Sequence, residues 1–110
     1  MATSARADYV ALVLERYRRL PGTLRRVLRD DRRTALALHD RGIGLDIVQR
    51  AFMLAVARRS FRANAERLEP IRCLRYFLPL IEELAAAPPD PEYFDYLAHK
   101  LRSVGVDIRA

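Results

Sequence analysis

Residues 41–59 read RGIGLDIVQRAFMLAVARR. Ile47, Val48, Ala51, Phe52, Leu54, Ala55 and Val56 recur at helical spacing and cover more than half of a helix circumference. A helix apolar over so much of its surface belongs at the centre of a core, not on its rim. Both ends are marked. Gly44 suits the N-cap, Asp46 puts a carboxylate in the first turn, and Arg58 and Arg59 put cations in the last, the signs the helix dipole favours. A central helix needs others to cover it, and the flanking sequence supplies them.

Upstream, residues 4–20 read as an amphipathic helix with Val10, Val13, Leu14, Tyr17 and Leu20 on one face, Ser4 as N-cap and Pro21–Gly22 as its stop. The stretch TLRRVLRDD, residues 23–31, reads as one short helical turn or two. Asp30 or Asp31 is then positioned to cap a helix over RRTALALHDR, which Gly42 closes and whose apolar positions are Ala35, Leu36 and Leu38. Downstream, PIRCLRYFLPLIEEL, residues 70–84, opens on a proline suited to a first helical position. Leu74, Phe77, Leu78, Ile81, Leu84 and Ala85 continue the stripe. Pro79 falls inside it, where a lost hydrogen bond and a clash cost ~3 kcal/mol unless the helix bends. The expectation is a fourth helix kinked or broken at Pro79; the alternative is two short helices meeting at Leu78. After AAAPPDPEYF, Asp90 caps and Pro91 opens a last helix with Phe94, Leu97, Ala98, Leu101 and Val104 inward, ended by Gly105. The sum is all-α: one domain over residues 1–110, a compact bundle of about five helices, with residues 1–8 and 105–110 frayed.

Composition narrows the function. Hydrophobic residues make up 51% of the chain, which argues against disorder. The single cysteine, Cys73, excludes an internal disulfide, no leader-like segment opens the chain, and no apolar run nears the ~18 residues of a membrane span. A soluble cytoplasmic protein is expected. His39 and His99 have no ligand partners at metal-binding spacing, so no metal and no cofactor is expected. Ser4, Ser60 and Ser103 lack a glycine-flanked elbow, and Cys73 reads as a small buried residue on the fourth helix. The pairs Glu82–Glu83 and Asp30–Asp31 diverge by about 100° on a helix and read as solvated or capping groups. Gly42-Ile43-Gly44 lacks the lysine and spacing of a phosphate loop. No catalytic residue emerges, and the expectation is a protein that is not an enzyme.

The charge remains. The chain carries +6 with a pI near 10.2, and nineteen of its twenty basic residues are arginine. Such skew fits either a GC-rich genome or a phosphate-bearing partner. Residues 1–62 hold fourteen basic and six acidic groups, net +8, and residues 63–110 hold six and eight, net −2, so the basic character lies in the N-terminal half. Arg16, Arg18, Arg19, Arg25, Arg26, Arg29, Arg32 and Arg33 fall within eighteen residues. Helical spacing would gather Arg25, Arg29 and Arg32 or Arg33 on one surface. Arg58, Arg59, Arg62 and Arg67 form a second group. The candidate nucleic-acid-binding residues are therefore Arg25, Arg26, Arg29, Arg32 and Arg33, with Arg58 and Arg59 second, gripping phosphates. Tyr17 is the only aromatic residue among the first cluster, which argues against base stacking. The competing reading is a solvated face of ion pairs. In that case the protein is an interaction or homodimerisation module, with surplus apolar surface that includes exposed-looking Tyr9, Tyr76, Tyr93 and Tyr96.

RGIGLDIVQRAFMLAVARR and LRYFLPLIEEL resemble two elements of the helical C-terminal domain of DnaD-like primosome and phage replication proteins, over about residues 9–85. That family's Tyr-x3-Ile-x3-Trp pattern falls on Tyr76, Leu80 and Leu84. Leu84 stands in place of the tryptophan, and Pro79 departs from the pattern. The resemblance implies a helical module that binds DNA, often with help from a flexible tail, and contacts other replication proteins. The family's winged-helix domain has no counterpart here, which implies an accessory role for a plasmid, phage or transposable element.

Overall fold

A computed structural model of the chain describes residues 4–62, 68–87, 90–106 and 108. Five α-helices account for most of them: α1 (Ala5–Arg19), α2 (Arg29–Asp40), α3 (Leu45–Ser60), α4 (Leu78–Ala86) and α5 (Pro91–Ser103). A four-residue 3-10 turn, Leu74–Phe77, runs directly into α4. No strand occurs among the described residues, and the class is all-α. The radius of gyration, 13.9 Å, is close to the ~13 Å of a compact chain this long. No described helix is long and apolar enough to cross a membrane.

α3 is the axis of the bundle, as its pattern requires. Val48 and every residue from Ala51 to Ala57 are buried, and α1, the 3-10 turn, α4 and α5 all pack on it. α2 reaches the bundle by lying on α1 and the 3-10 turn. Phe52, Phe77 and Tyr17 interlock edge to face at the centre, with centroids 4.8 Å and 6.1 Å apart. The expected caps are in place. Ser4 Oγ accepts from the Ala7 N–H, Asp90 Oδ1 accepts from the Glu92 N–H, Gly44 precedes α3, and Gly105 turns left-handed after α5. Val104 departs from its expected inward position and is 57% exposed. Residues 1–3, 107 and 109–110, part of the ends expected to fray, lie outside the described residues; α1 runs from Ala5, and Ile108 is buried.

Two segments differ from their helical reading. Residues 23–28 form a loop instead of one or two helical turns, and α2 begins at Arg29 with Leu28 as its N-cap. Neither Asp30 nor Asp31 is the N-cap. Asp31 sits in the first turn, and its carboxylate reaches back to accept from the Leu28 N–H at 2.8 Å. Residues 70–73 are not helical either, so Pro70 opens no helix and Cys73 lies on extended backbone, half-buried. Instead of one kinked helix there are two pieces. The 3-10 turn ends at Phe77, and α4 starts at Leu78 with Pro79 in its first turn, where a missing N–H leaves no bond unmade.

Tertiary hydrogen bonds explain both departures. Ile71 donates its N–H to the Gly22 carbonyl at 2.6 Å and accepts from the Leu24 N–H at 3.2 Å, a parallel bridge between the two irregular segments. Asp31 uses its second oxygen to accept from the Leu74 N–H at 2.8 Å, forty-three residues away in sequence. Backbone groups satisfied by distant partners have no need of a helix.

Candidate nucleic-acid interface

The elements that carry the candidate arginines converge on one segment, Glu69–Phe77. The α1–α2 loop, with Arg25 and Arg26, pairs with Ile71. The first turns of α2, with Arg29, Arg32 and Arg33, are tied to it through Asp31 and Leu74. The end of α3 is tied to it by Arg59, whose Nη2 donates to the Glu69 carbonyl at 2.6 Å. Arg25 holds a left-handed backbone, φ +59°, steadied by its N–H on Thr23 Oγ1 at 3.2 Å. That conformation is uncommon for a residue with a side chain and aims Arg25 out of the loop into solvent. Because residues 23–28 are not helical, Arg25 does not share a helix face with Arg29; Arg29, Arg32 and Arg33 share one among themselves.

Of the described arginines, six form ion pairs with carboxylates and the rest do not, the candidates and Arg16, Arg50, Arg62 and Arg102 among the latter. Arg6 pairs with Asp40 at 2.9 Å, Arg18 and Arg19 with Glu15 at 2.9 and 2.7 Å, Arg41 with Glu82 at 3.3 Å, Arg72 with Glu69 at 3.7 Å and Arg75 with Asp30 at 3.8 Å. The Arg6 guanidinium, and next His39, hold the Asp40 carboxyl at about 2, well below the usual carboxylate range; Arg18 likewise lowers Glu15. Arg25, Arg26, Arg29, Arg32, Arg33, Arg58 and Arg59 form no ion pair with any described residue, and all but the half-buried Arg59 are exposed. Arg67 lies outside the described residues.

The second group is built into a concavity. Arg58, Arg59 and Arg62 line a hollow of about 270 Å³ with Ala55, Leu80 and Tyr76, and none of the described carboxylates borders it. Arg59 is fixed there from three sides. Besides its bond to the Glu69 carbonyl, its guanidinium lies 5.8 Å from the Tyr76 ring centroid and packs over Gly22, whose φ of +85° and missing Cβ leave room for it. Tyr76 is 47% exposed. Beyond Arg59 and Tyr76 a second, more open hollow of about 560 Å³ is walled by Leu68, Pro70, Ile71 and Cys73, together with Glu69 and Arg72. A hollow beside α2, lined by Arg33, Arg41 and Arg75, contains Asp30, so its charge is mixed.

Tyr17, the aromatic residue of the first arginine cluster, is wholly buried and cannot meet a ligand. Its hydroxyl has no hydrogen-bond partner among the described residues, and burial, with the nearby Asp31 and Cys73, pushes it up to about 12. Tyr9 is pushed to about 12 by burial alone. The aromatic group that meets the candidate arginines is Tyr76, read from the sequence only as an exposed tyrosine and as the first position of the DnaD-like pattern. The available signal was its place off the Leu74–Phe77–Leu78 stripe, which leaves it facing outward. Among the described residues, no group of three or more His, Cys, Asp or Glu is placed to hold a metal ion.

Comparison with protein-family models, curated proteins and solved structures finds no match, so the likeness to the DnaD-like domain rests on the quoted residues alone.

Proposed function

We propose that this protein is a non-enzymatic helical accessory module that binds nucleic acid through phosphate contacts from Arg25, Arg26, Arg29, Arg32 and Arg33, joined by Arg58 and Arg59. One observation carries the reading: these seven, clustered in two groups, make no ion pair with a described residue, as Arg16, Arg50, Arg62 and Arg102 also make none, while six other arginines do. An arginine already held by a carboxylate must release it to take a phosphate; an unpaired one keeps its full charge and fork of donors for the partner. Convergence of their elements on Glu69–Phe77 supports a continuous basic surface. Contacts of this kind make binding weakly sequence-specific and steeply salt-dependent. The resemblance noted above supports a setting in DNA replication or mobile-element maintenance, in the cytoplasm, beside other proteins of that machinery.

The test is a titration with duplex DNA at low and raised salt. About six phosphate contacts give a slope of about −5 in log K against log salt. Alanine replacement of Arg29, Arg32 and Arg33 together flattens that slope by about three. No binding at low salt, or binding indifferent to these replacements, removes the proposal.

A second reading has its own observation. Phe61 (39% exposed) and Tyr96 (56%) both flank the Lys100 ammonium, at 4.6 and 6.0 Å, and Tyr93 and Val104 are exposed on and just beyond α5. This aromatic surface suits a protein partner or a second copy. Light scattering across concentration decides the homodimer: a strict monomer ends it.

A further inference from the structure

We infer that the hollow at the end of α3 takes a single unpaired nucleotide, its phosphate on Arg58, Arg59 and Arg62 and its base on the ring of Tyr76. The inference rests on the proposed nucleic-acid function and names the ligand of one part of that surface. The hollow differs from the one beside α2 in holding three guanidinium groups, at and just past the end of α3, without a described carboxylate among them, and in having an aromatic wall. Arg58 and Arg62 are exposed and unpaired with any described residue, while Arg59 is already anchored to the Glu69 carbonyl. An anchored cation pays little side-chain entropy when an anion arrives. The end of α3 contributes about half a negative charge from its dipole, which three guanidinium groups outweigh.

Tyr76 supplies what a phosphate site alone does not need. Phe77 meets its ring edge to face at 5.2 Å, and Arg59 lies over it at 5.8 Å, so the ring is held while nearly half of the residue stays open to solvent. A flat aromatic surface fixed next to cations is the pairing that single-stranded nucleic acids use for base and backbone. The adjoining hollow, which shares Arg59 and Tyr76, is walled by Leu68, Pro70, Ile71 and Cys73 with the Glu69–Arg72 ion pair at its edge, a mostly apolar surround for a base leaving the phosphate pocket. A duplex keeps its bases stacked inward and offers this ring nothing.

The same chemistry has two sources, an unpaired residue of a strand or a free nucleoside monophosphate. The experiment uses the full chain and measures binding of an oligothymidylate, an abasic oligomer with equal phosphates, a duplex, and AMP. It compares wild type, Tyr76→Ala, Tyr76→Phe and Arg62→Ala. Expected is about ten-fold weaker binding of oligothymidylate by Tyr76→Ala, near-full recovery in Tyr76→Phe, and no change for the abasic oligomer or the duplex. Arg62→Ala weakens both single strands. Saturable AMP binding that Tyr76→Ala abolishes identifies a free nucleotide as ligand; binding of the strand without AMP identifies the strand. Equal wild-type binding of abasic and base-bearing oligomers, or equal loss of both in Tyr76→Ala, overturns the inference and leaves the phosphate surface standing. Binding of no nucleic acid by any variant defeats the underlying function instead.

Discussion

Replacing Asp31 by alanine probes the joint on which the basic surface is built. Asp31 is wholly buried, and its two oxygens accept from the N–H groups of Leu28 and Leu74, each at 2.8 Å. Leu74 is itself wholly buried, so its N–H is left with no acceptor, at about 1–3 kcal/mol. The Leu28 N–H is partly exposed and recovers water, so its loss resembles that of a helix cap, about 0.5–1 kcal/mol. Removing a carboxylate from the first turn of α2 adds about 0.3–1 kcal/mol through the dipole. Relief of the buried charge offsets part of this. The net expectation is a loss of about 3 kcal/mol, which for ~110 residues lowers Tm by about 13 °C. Asp31→Asn keeps one oxygen for Leu74 and loses about half as much. Asp30→Ala, next door, exposed and paired with Arg75 at only 3.8 Å, loses a first-turn carboxylate and a weak pair but no buried hydrogen bond, about 0.5–1 kcal/mol. Urea and thermal unfolding followed by circular dichroism measure all three. A loss below about 1 kcal/mol for Asp31→Ala, or one equal to that of Asp30→Ala, refutes the idea that this carboxylate holds α2 to the 3-10 turn.

Arg25→Gly relaxes the left-handed backbone at that position, so the variant unfolds at higher urea, by about 0.5–1 kcal/mol, while its DNA salt slope falls by about one; a less stable variant contradicts the assignment of strain. Tyr17→Phe keeps the ring against Phe77 and removes a buried hydroxyl with no described partner, so stability at neutral pH stays level or rises by up to about 1 kcal/mol. Because the fold raises Tyr17 to about 12, its neutral form is favoured: that stability is whole below pH ~10 and is lost as pH climbs toward 12, a loss smaller in Tyr17→Phe, as unfolding midpoints at pH 9 to 12 would record. Asp40 has the opposite sign. With its carboxyl held at about 2, its contribution is whole above pH ~4 and fades as pH falls toward 2, so Asp40→Asn flattens that part of the acid limb, checked by midpoints at pH 5, 3 and 2.

The parts of this fold that read out of the sequence are those whose causes are local. α3 declared itself through its periodicity and the charges at its ends, and α5 through Asp90, Pro91 and Gly105. Residues 23–28 and 70–77 did not, because their backbone bonds run between segments, from Gly22 and Leu24 to Ile71 and from Asp31 to Leu74. The spacing of Leu74, Phe77, Leu78 and Ile81 suits a continuous helix and equally a 3-10 turn leading into one. Pro79, the residue most at odds with a long helix, marked the true start of α4. At the candidate site the arginines were nominated by their clustering in sequence alone. Their grouping was not: Arg25 left the helix face once its loop was fixed by Ile71, and Tyr76 joined Arg59 only through tertiary packing.

The bridge from Ile71 to Gly22 and Leu24 has a consequence for how much polypeptide the basic surface requires. A fragment ending at Ser60 would contain all seven candidate guanidinium groups, yet the loop displaying Arg25 and Arg26 would lack its clasp, and Arg59 would have neither carbonyl nor ring to rest on. The acidic half of the chain thus serves as the mould in which the basic half is cast.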